Sequence, residues 1–419
     1  MKILLINNFH YYRGGSESVY FNTADELSAR GHEVHFFSFK RSENIPCQDD
    51  AFFPVYPYRG NVFSRILKNV IYYFYNFEAA KKLDAFLAHQ KFDIAHVHLI
   101  FGGLTPSILA VLKKRHIPVV YTAHDYRLVC PAYTFRDGAG KVCEACKGKH
   151  FYHCISRRCA KGSFAKSIMM AAEMYFRNLF LSPFNLFSGF IFVSNFSKNK
   201  HLDYAPKLRQ NNVLQAYNFL PGSSESLLSQ IHRTSAEDYF LFYGRLSPEK
   251  GVDLLVDVFS KHPELNLIIV GTGPTEAHLR SELEKRSAKN IVMLGYKTGL
   301  ELKELIANAR FVLIPSEWYE NNPMTVIESF QLGIPVIGSN LGGIPELMDN
   351  GANGFLFEAG DPASLETVLK KVQDLSPSDY SELKKNCRSF FEKSFPAEHH
   401  IQKLVSFYLD VINQYNTHN

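Results

Sequence analysis

The chain has 419 residues, of which 46% are hydrophobic and 21% charged, and its formal net charge is only +5. This length exceeds what one hydrophobic core supports, so two or three domains are expected, and the small net charge argues against a nucleic-acid partner. The sequence predicts no signal peptide, because the apolar run Ile3–Ile6 is too short, and no membrane-spanning helix, so a cytosolic protein is expected.

The N-terminal region carries the pattern of a βαβ unit. Residues 2–7 predict a buried strand, a helical pattern then runs to Gly31, and residues 33–39 predict a second strand. Parallel units of this kind build doubly wound sheets. Gly14-Gly15 falls in the loop after the first strand, where open α/β sheets bind ligands, although two glycines also fit an ordinary turn.

Residues 61–77 place apolar side chains at helical spacing, at positions 63, 66, 67, 70, 71, 74 and 77. Arg65, Lys68 and three tyrosines lie among them. Such a stripe is typical of core packing, but a basic, aromatic, amphipathic helix also suits a membrane interface. A second apolar and aromatic segment at 164–192 keeps a peripheral membrane role of this half open.

Four further strands are predicted in the first half, at 93–98, 117–122, 190–194 and 213–216. The strand at 117–122 is followed by His124 and Asp125. Side chains at the carboxyl end of a parallel strand are placed to meet a ligand, so His124 is a candidate site residue as well as a candidate structural histidine.

Five of the seven cysteines lie between positions 130 and 159, where the alternation of strands and helices breaks. Cys143, Cys146, Cys154 and Cys159 are spaced so that four thiolates could hold a structural zinc ion in a small insert. Cys130, His150 and His153 are spare candidate ligands, and reduced, unliganded thiols are the alternative. A catalytic metal is not expected, because four thiolates leave no open coordination position.

The second half repeats the strand and helix alternation after a linker at 218–237 that is rich in serine. Strands are predicted at 239–243, 265–270, 291–294, 311–314 and 336–339, and a last helix at 397–415. The predicted fold is therefore α/β, with two Rossmann-like doubly wound domains facing across a cleft. We predict domains at 1–217, with a Cys-rich insert at 130–162, and at 218–395, followed by a helix at 396–419.

Polar loops follow several strands of the second half. Gly244-Arg245 and Lys250-Gly251 lie in one loop, where a bidentate arginine, a lysine and a helix dipole suit a diphosphate. Gly271 and Gly273 form a second glycine loop, where a nucleoside could approach the backbone closely, and Gly342-Gly343 lies in a third. The alternative is a set of ordinary surface loops.

Glu320 and Glu328 flank a predicted helix start at Pro323. Helical residues rise about 1.5 Å each, so the two carboxylates could bracket one small ligand at different heights. The alternative is a loop acid and a solvated helix acid. The helix N-terminus between them would supply unpaired N–H groups to an anion.

Together these motifs resemble the GT-B-fold glycosyltransferases of the retaining family 4 type, also called glycosyl transferases group 1. The resemblance covers nearly the whole chain and is most specific in the second domain. It is carried by the Gly14-Gly15-Ser16-Glu17 loop, His124-Asp125, Gly244-Arg245 with Lys250, Gly271-Thr272-Gly273-Pro274, and the pair Glu320 and Glu328.

The resemblance implies a role for each matching residue. Arg245 and Lys250 would hold the diphosphate of a nucleotide-sugar donor, Glu320 the hydroxyls of its sugar, and Glu328 its ribose hydroxyls. His124 would lie by the sugar at the reaction centre. The remaining donor contacts would come from backbone and loop positions, namely Gly14, Gly15, Gly244, Gly271, Gly273, Asn322, Met324 and Thr325.

Two features depart from the family pattern. Many members have Phe-Gly after the first glutamate, whereas this chain has Asn321-Asn322-Pro323, which puts hydroxyl discrimination on the sugar in doubt. The cysteine insert is also not general. The resemblance implies that the final helix crosses back to the first domain.

The expected function is transfer of a sugar from a nucleotide diphosphate-sugar to a hydroxyl of a glycan or lipid-linked saccharide, in polysaccharide biosynthesis. The resemblance implies retention of anomeric configuration and no cofactor besides the donor, with Glu17 and Asp125 left as candidate inverting bases. The alternatives are a nucleotide-sugar epimerase or phosphorylase on the same frame, or a zinc-stabilised binding module without enzymatic activity.

Overall fold

A computed structural model describes residues 1–55, 62–222, 229–232 and 239–418. Within 62–222, side chains are described from residue 68 onward. Contacts divide the chain into two compact units. The first comprises Met1–Ala139, Cys143–Tyr217 and the chain from Glu398 onward, and the second comprises Gly140–Val142 and Asn218–Ala397. Parts of the predicted linker, residues 223–228 and 233–237, lie outside the described residues.

The first unit is built on a six-stranded parallel sheet in the order β2-β1-β3-β4-β5-β6. Its central strands are apolar and fully buried because helices cover both faces of such a sheet. In register, Leu4 of β1 lies between His35 of β2 and Ala95 of β3. The strands are β1 (Lys2–Ile6), β2 (Glu33–Phe37), β3 (Ile94–Val97), β4 (Val119–Ala123), β5 (Gly189–Phe192) and β6 (Asn212–Gln215).

Helices connect these strands. The predicted helix at 61–77 is two helices, because the Asn76 side chain accepts a hydrogen bond from the Ala79 amide (3.0 Å) and caps a new start. Residue 61 lies outside the described residues. The helices are α1 (Gly15–Ala29), α2 (Val62–Phe74), α3 (Phe77–His89), α4 (Ser107–Lys114), α5 (Tyr152–Ser156), α6 (Phe164–Phe180), α7 (Pro183–Leu186) and α8 (Asn195–Tyr204).

The second unit carries a six-stranded parallel sheet in the order β12-β11-β10-β7-β8-β9. Its core gathers buried side chains such as Phe240, Leu267 and Phe311 under the helices. The sequence prediction missed the last strand. The strands are β7 (Tyr239–Tyr243), β8 (Asn266–Val270), β9 (Ile291–Gly295), β10 (Phe311–Ile314), β11 (Val336–Ser339) and β12 (Gly354–Phe357).

The last helix of the chain packs on the first unit. Tyr408 Oη lies 2.6 Å from Nδ1 of His96 in β3, and a Cβ on Gly189 in β5 would lie only 2.9 Å from Phe407 Cζ. Gly189 therefore lets the helix lie directly against the sheet. The remaining helices are α9 (Val252–Phe259), α10 (Glu276–Arg286), α11 (Gly299–Ala307), α12 (Met324–Gln331), α13 (Pro362–Gln373), α14 (Pro377–Ser394) and α15 (Ala397–His418).

Each sheet has a topological switch point, where the strand order reverses and open α/β sheets bind ligands. In the first unit it lies between β1 and β3, and in the second between β7 and β10. The loops that follow these four strands are therefore the places to look for a site. Among the described residues, no helix combines the length and hydropathy needed to cross a bilayer.

Candidate active site

The loops after β7 and β10 meet through an ion pair. Lys250 Nζ donates to Glu320 Oε1 at 2.6 Å, and Ser316 Oγ donates to the same oxygen at 2.7 Å. The Glu320 side chain is nearly buried, whereas that of Lys250 is about a quarter exposed. The switch point of the second sheet thus brings together two predicted site residues that are seventy positions apart.

Two opposing effects set the pKa of Glu320. Burial acts to raise it, but the Lys250 ammonium and the hydrogen bonds from Lys250 and Ser316 outweigh burial, and the pKa lies below the ordinary value. Glu320 is therefore a carboxylate at neutral pH. It can accept hydrogen bonds from a ligand but cannot donate one.

The lowered pKa predicts how the contribution of Glu320 to stability depends on pH. The contribution is fully present above the pKa of an unfolded glutamate, about 4.3, and is lost as pH falls through the lower folded value. The free energy of unfolding of wild type minus that of Glu320→Gln should therefore be constant near neutral pH and shrink in this acidic range. Urea denaturation at several pH values measures the difference, and a difference that stayed constant through this range would contradict the ion pair.

Arg245 lies on the same β7 loop and its side chain is exposed. The loop is held by Gly244, whose φ of +151° suits glycine, and by the Gly244 amide, which donates to the Val270 carbonyl at 3.0 Å. A Cβ on Gly271 would lie 1.8 Å from the Gly244 carbonyl oxygen, and one on Gly273 would lie 2.1 Å from the Leu246 carbonyl oxygen. These two glycines thus let the loop after β8 pack directly against the loop after β7.

The N-terminus of α12 follows the β10 loop. Pro323 precedes it, and no side chain in the described part of the chain caps the first turn, so the amides of Met324 and Thr325 remain available as donors. Glu328, one turn further on, is half-buried, and burial raises its pKa above the ordinary value. The Tyr243 hydroxyl donates to the Thr325 carbonyl at 3.0 Å and fixes this turn against β7.

Asn322 is engaged through its oxygen atoms and not through its amide nitrogen. The Asn218 backbone amide donates to Asn322 Oδ1 at 2.8 Å, and Asn218 Nδ2 donates to the Asn322 carbonyl at 3.0 Å. Because the backbone donor fixes the oxygen of the side chain, the buried Nδ2 atom is left without a hydrogen-bond partner among the described residues. An unpaired buried donor is costly, so this NH₂ group is ready for an acceptor on a ligand.

Gly342 and Gly343 support the Glu320 segment. The Gly343 amide donates to the Glu320 carbonyl at 2.7 Å, and a Cβ on Gly343 would lie 2.0 Å from the Asn321 carbonyl oxygen. These glycines thus let the loop after β11 pack against the backbone of the Glu320 segment.

In the first unit, the loops after β1 and β3 are tied together by Asn7, whose Oδ1 accepts from the Leu99 amide at 3.0 Å. Gly14 and Gly15 are exposed at the N-terminus of α1, which no side chain caps. Glu17 behind them is buried, accepts from Ser16 Oγ at 3.1 Å, and has a pKa raised by burial.

His124 follows β4 and pairs with His98, which follows β3. His124 Nε2 lies 2.8 Å from His98 Nδ1. His98 Nε2 is buried without a partner in the described part of the chain. Because a buried N–H group without a partner is rarer than a buried acceptor without one, we assign the His98 proton to Nδ1. Burial lowers the pKa of His124 to about 3, so His124 is neutral at pH 7. Because its Nε2 accepts the hydrogen bond from His98, its own proton is on Nδ1.

Asp125 is half-buried next to this pair. Its Oδ1 accepts from the Arg127 amide at 2.9 Å, and burial raises its pKa. Arg127 is itself buried, and its Nη1 donates to the Pro131 carbonyl at 2.8 Å. The loop after β4 is thus fixed from within by a charged side chain.

The structure does not support the predicted zinc site. Cys143, Cys146, Cys154 and Cys159 line one cavity of about 10 Å³ together with Cys130, yet within residues 130–159 no group of three or more Cys, His, Asp or Glu side chains is placed to hold a metal ion. All seven cysteines are free thiols.

Apolar packing accounts for these cysteines. Cys146 and Cys154 pack with Ala171 and Met174 of α6 in one hydrophobic cluster, and burial raises the pKa of Cys146 to about 12. Burial raises the pKa of Cys130 to about 11. Cys146 and Cys154 behave as small hydrophobic residues that join the segment to α6.

Three residues of the arrangement escaped the sequence analysis, namely Ser316, Asn218 and His98. His98 was detectable, because it follows β3 just as His124 follows β4 and the same rule about strand ends applies. Ser316 and Asn218 have no such signal, since they act through hydrogen bonds that depend on the fold.

Comparisons with known proteins relate the chain to glycosyltransferases. A family model for Glycosyltransferase Family 4 matches residues 13–209, and one for Glycosyl transferases group 1 matches residues 224–390. An uncharacterized 41.2 kDa protein in the cps region of Klebsiella pneumoniae is 22% identical over 77% of this chain and 80% of its own length. The O-antigen chain mannosyltransferase C of Escherichia coli is 27% identical over 43% of this chain and 48% of its own length.

Solved structures share the fold. Sucrose-phosphate synthase from Thermosynechococcus elongatus has a TM-score of 0.69 at 17% identity and covers 99% of both chains. HepE from Anabaena, in complex with UDP, has a TM-score of 0.65 at 18% identity and covers 97% of this chain and 99% of its own. The two family models match consecutive parts of the chain and the structural neighbours share its fold, so the chain belongs to the GT-B glycosyltransferases of the group 1 and family 4 type.

Proposed function

We propose that the protein transfers a sugar from a nucleotide diphosphate-sugar to a hydroxyl of a glycan or a lipid-linked saccharide. The observation that carries the proposal is the Lys250–Glu320 pair at the switch point of the second sheet, beside the exposed Arg245. The structure of the neighbour HepE contains UDP, and a curated relative is an O-antigen mannosyltransferase, which supports this class of donor and product.

The donor would be held by the second unit. Arg245, Lys250 and the free amides at Met324 and Thr325 are proposed to stabilise the charge that develops on the leaving diphosphate. We assign Glu320 to hydroxyls of the sugar and Glu328 to those of the ribose. In the first unit, we assign neutral His124 to the transferred sugar and the amides at Gly14 and Gly15 to phosphate oxygens.

Asn322 is proposed as the residue that selects the donor sugar. Its Nδ2 is a buried donor with no partner among the described residues, two positions after Glu320, and the Phe-Gly of many family members offers no amide side chain there. A sugar hydroxyl between Glu320 and Asn322 would donate to the carboxylate and accept from the amide.

We propose retention of anomeric configuration, on the resemblance to family 4. Of the two candidate inverting bases, Glu17 is buried and held by Ser16 and Asn7, which limits its access to an acceptor hydroxyl. Asp125 is the stronger candidate for an inverting base, because it is half-buried and its pKa is raised. Proton NMR of the product's anomeric centre during turnover decides between the two outcomes.

The reaction class is tested by incubating the protein with nucleotide diphosphate-sugars, with and without glycan and lipid-linked acceptors. The proposal expects release of nucleoside diphosphate that depends on the acceptor. Donor conversion without acceptor would support an epimerase, and a requirement for inorganic phosphate would support a phosphorylase.

A further inference from the structure

Helix α6 exposes an apolar stripe. Phe164, Ile168, Tyr175 and Leu179 are all exposed, Leu179 by 76%, and their spacing places them on one face of the helix. Phe180, at the end of the helix, is 66% exposed. Such a stripe normally faces a core, so something other than the protein's own interior is expected to cover it.

The opposite face of α6 buries charge. Arg177 Nε lies 3.2 Å from Glu173 Oε1 with both side chains almost inaccessible, and Arg177 Nη2 donates to the Arg127 carbonyl at 2.9 Å. Rotating the helix to hide its stripe would expose Met174 and the buried ion pair, and would break the hydrogen bond from Arg177 to the Arg127 carbonyl. The outward direction of the stripe is therefore built into the fold.

Helix α2 and the start of α3 extend this surface. Phe74 of α2 contacts Phe176 of α6 with ring centroids 5.6 Å apart, and Phe176 contacts Phe180 at 5.1 Å. We call the exposed surface of the two helices and Phe77 the apolar face; its described members are Val70, Ile71, Phe77, Phe164, Ile168, Tyr175, Leu179 and Phe180. Contiguous exposed apolar surface of this kind marks an interaction site.

The charges on this surface are of one sign. Residues 62–77 contain no Asp or Glu, and residues 161–187 contain only the buried Glu173. Lys68, Lys161 and Lys166 are exposed among the apolar side chains. The adjoining segment 141–166 has one acid, Glu144, and seven basic residues, namely Lys141, Lys147, Lys149, Arg157, Arg158, Lys161 and Lys166.

We propose that the apolar face lies in the interface of an anionic lipid bilayer. Aromatic and aliphatic side chains would enter the boundary of headgroups and acyl chains, and the lysines around them would meet lipid phosphates. A protein partner would need a complementary acidic surface, whereas every anionic bilayer supplies one. The contact does not depend on the proposed transfer reaction.

The docked helices would also connect the membrane to the candidate site of the first unit. Arg127, two residues after Asp125, contacts both helices, through its carbonyl to Arg177 and through its guanidinium to the Tyr73 hydroxyl. If the proposed function holds, the loop that carries His124 and Asp125 is thus anchored to the membrane-facing helices. A lipid-linked acceptor would suit this arrangement.

Co-sedimentation of the full chain with vesicles tests the proposal, using phosphatidylcholine vesicles with and without phosphatidylglycerol. We expect binding to the anionic vesicles only, and a partition coefficient lowered by about tenfold or more in Leu179→Ser/Phe180→Ser. Lys161→Gln/Lys166→Gln should weaken binding and reduce its salt dependence. The matched control is Tyr296→Ser/Leu300→Ser, which removes two exposed apolar side chains of the second unit and should bind as wild type does.

Absence of binding to anionic vesicles, or an equal loss in the control, would overturn the proposal. Self-association that Leu179→Ser/Phe180→Ser abolishes, without vesicle binding by the wild type, would assign the face to a second copy of the chain. Melting curves confirm that the variants fold, and donor binding in solution should be unchanged in them. A failed membrane contact is thereby distinguished from a failed donor site.

Discussion

Arg245→Ala is expected to lower turnover by about 10²-fold or more while leaving the melting temperature of the protein unchanged. Arg245 is exposed beside Lys250, so its removal takes a diphosphate contact away without opening the core. The turnover of Arg245→Lys should lie between those of the wild type and Arg245→Ala, because lysine keeps the charge but loses the bidentate geometry. Steady-state kinetics and thermal melting measure the two effects.

Arg280→Ala is the matched control for Arg245. Arg280 is an exposed arginine of the same unit that pairs with Glu276 at 3.0 Å within one helix, an interaction worth only about 0.3–0.5 kcal/mol. Its loss should change neither turnover nor melting appreciably. If Arg245→Ala kept full turnover, or lost activity only in proportion to stability, the assignment of Arg245 to the diphosphate would be wrong.

The second large effect concerns the Lys250–Glu320 pair, which we expect to contribute both to the stability of the protein and to its turnover. Lys250→Met leaves the nearly buried Glu320 carboxylate without its cation, and should cost about 2 kcal/mol of unfolding free energy, less than for a fully buried pair because Lys250 is partly exposed. Turnover should fall by about 10²–10³-fold.

A double-mutant cycle separates the two parts. Adding Glu320→Gln to Lys250→Met removes the stranded charge and should restore much of the stability, whereas turnover stays low because both donor contacts are gone. The exposed pair Lys297 and Glu301, 2.5 Å apart, serves as control, and Lys297→Met/Glu301→Gln should show little coupling. Recovery of turnover along with stability would show that the pair is structural only.

Most of the fold was predictable because buried parallel strands are short apolar runs between turn residues. The missed strand β12 (Gly354–Phe357) has only three apolar residues after the turn-rich sequence at 349–354. The boundary between α2 and α3 depended on one capping side chain, Asn76, which a continuous apolar stripe concealed.

The sequence pointed to the loops of the candidate site but not to the contacts between their residues. The rule that ligands meet the carboxyl ends of strands identified the loops of Arg245, Glu320 and His124. It could not show that Lys250 bonds Glu320, because that contact depends on β7 and β10 being neighbours in the sheet. It also could not show that the unpaired atom of Asn322 is its amide nitrogen, which Asn218 determines.

The cysteines show how spacing alone misleads. Their separations permit a tetrahedral metal site, but Cys146 and Cys154 pack among apolar side chains of α6, and the insert is anchored by that packing. The neighbouring segment at 164–192 was recognised in the sequence only as apolar and aromatic. Only the structure shows that its aromatic side chains point outward, because the helix buries Glu173 and Arg177 instead.

The central claim is that the second unit binds a nucleotide diphosphate-sugar through Arg245, Lys250, Glu320 and Glu328. Its most direct test is a thermal-shift screen of wild type and Glu328→Ala against a panel of these donors. We predict that at least one donor stabilises the wild type, by about 2.7 kcal/mol at 100 times its dissociation constant, and stabilises Glu328→Ala much less. Stabilisation by no donor of the panel, or equal stabilisation of both proteins, would contradict the claim.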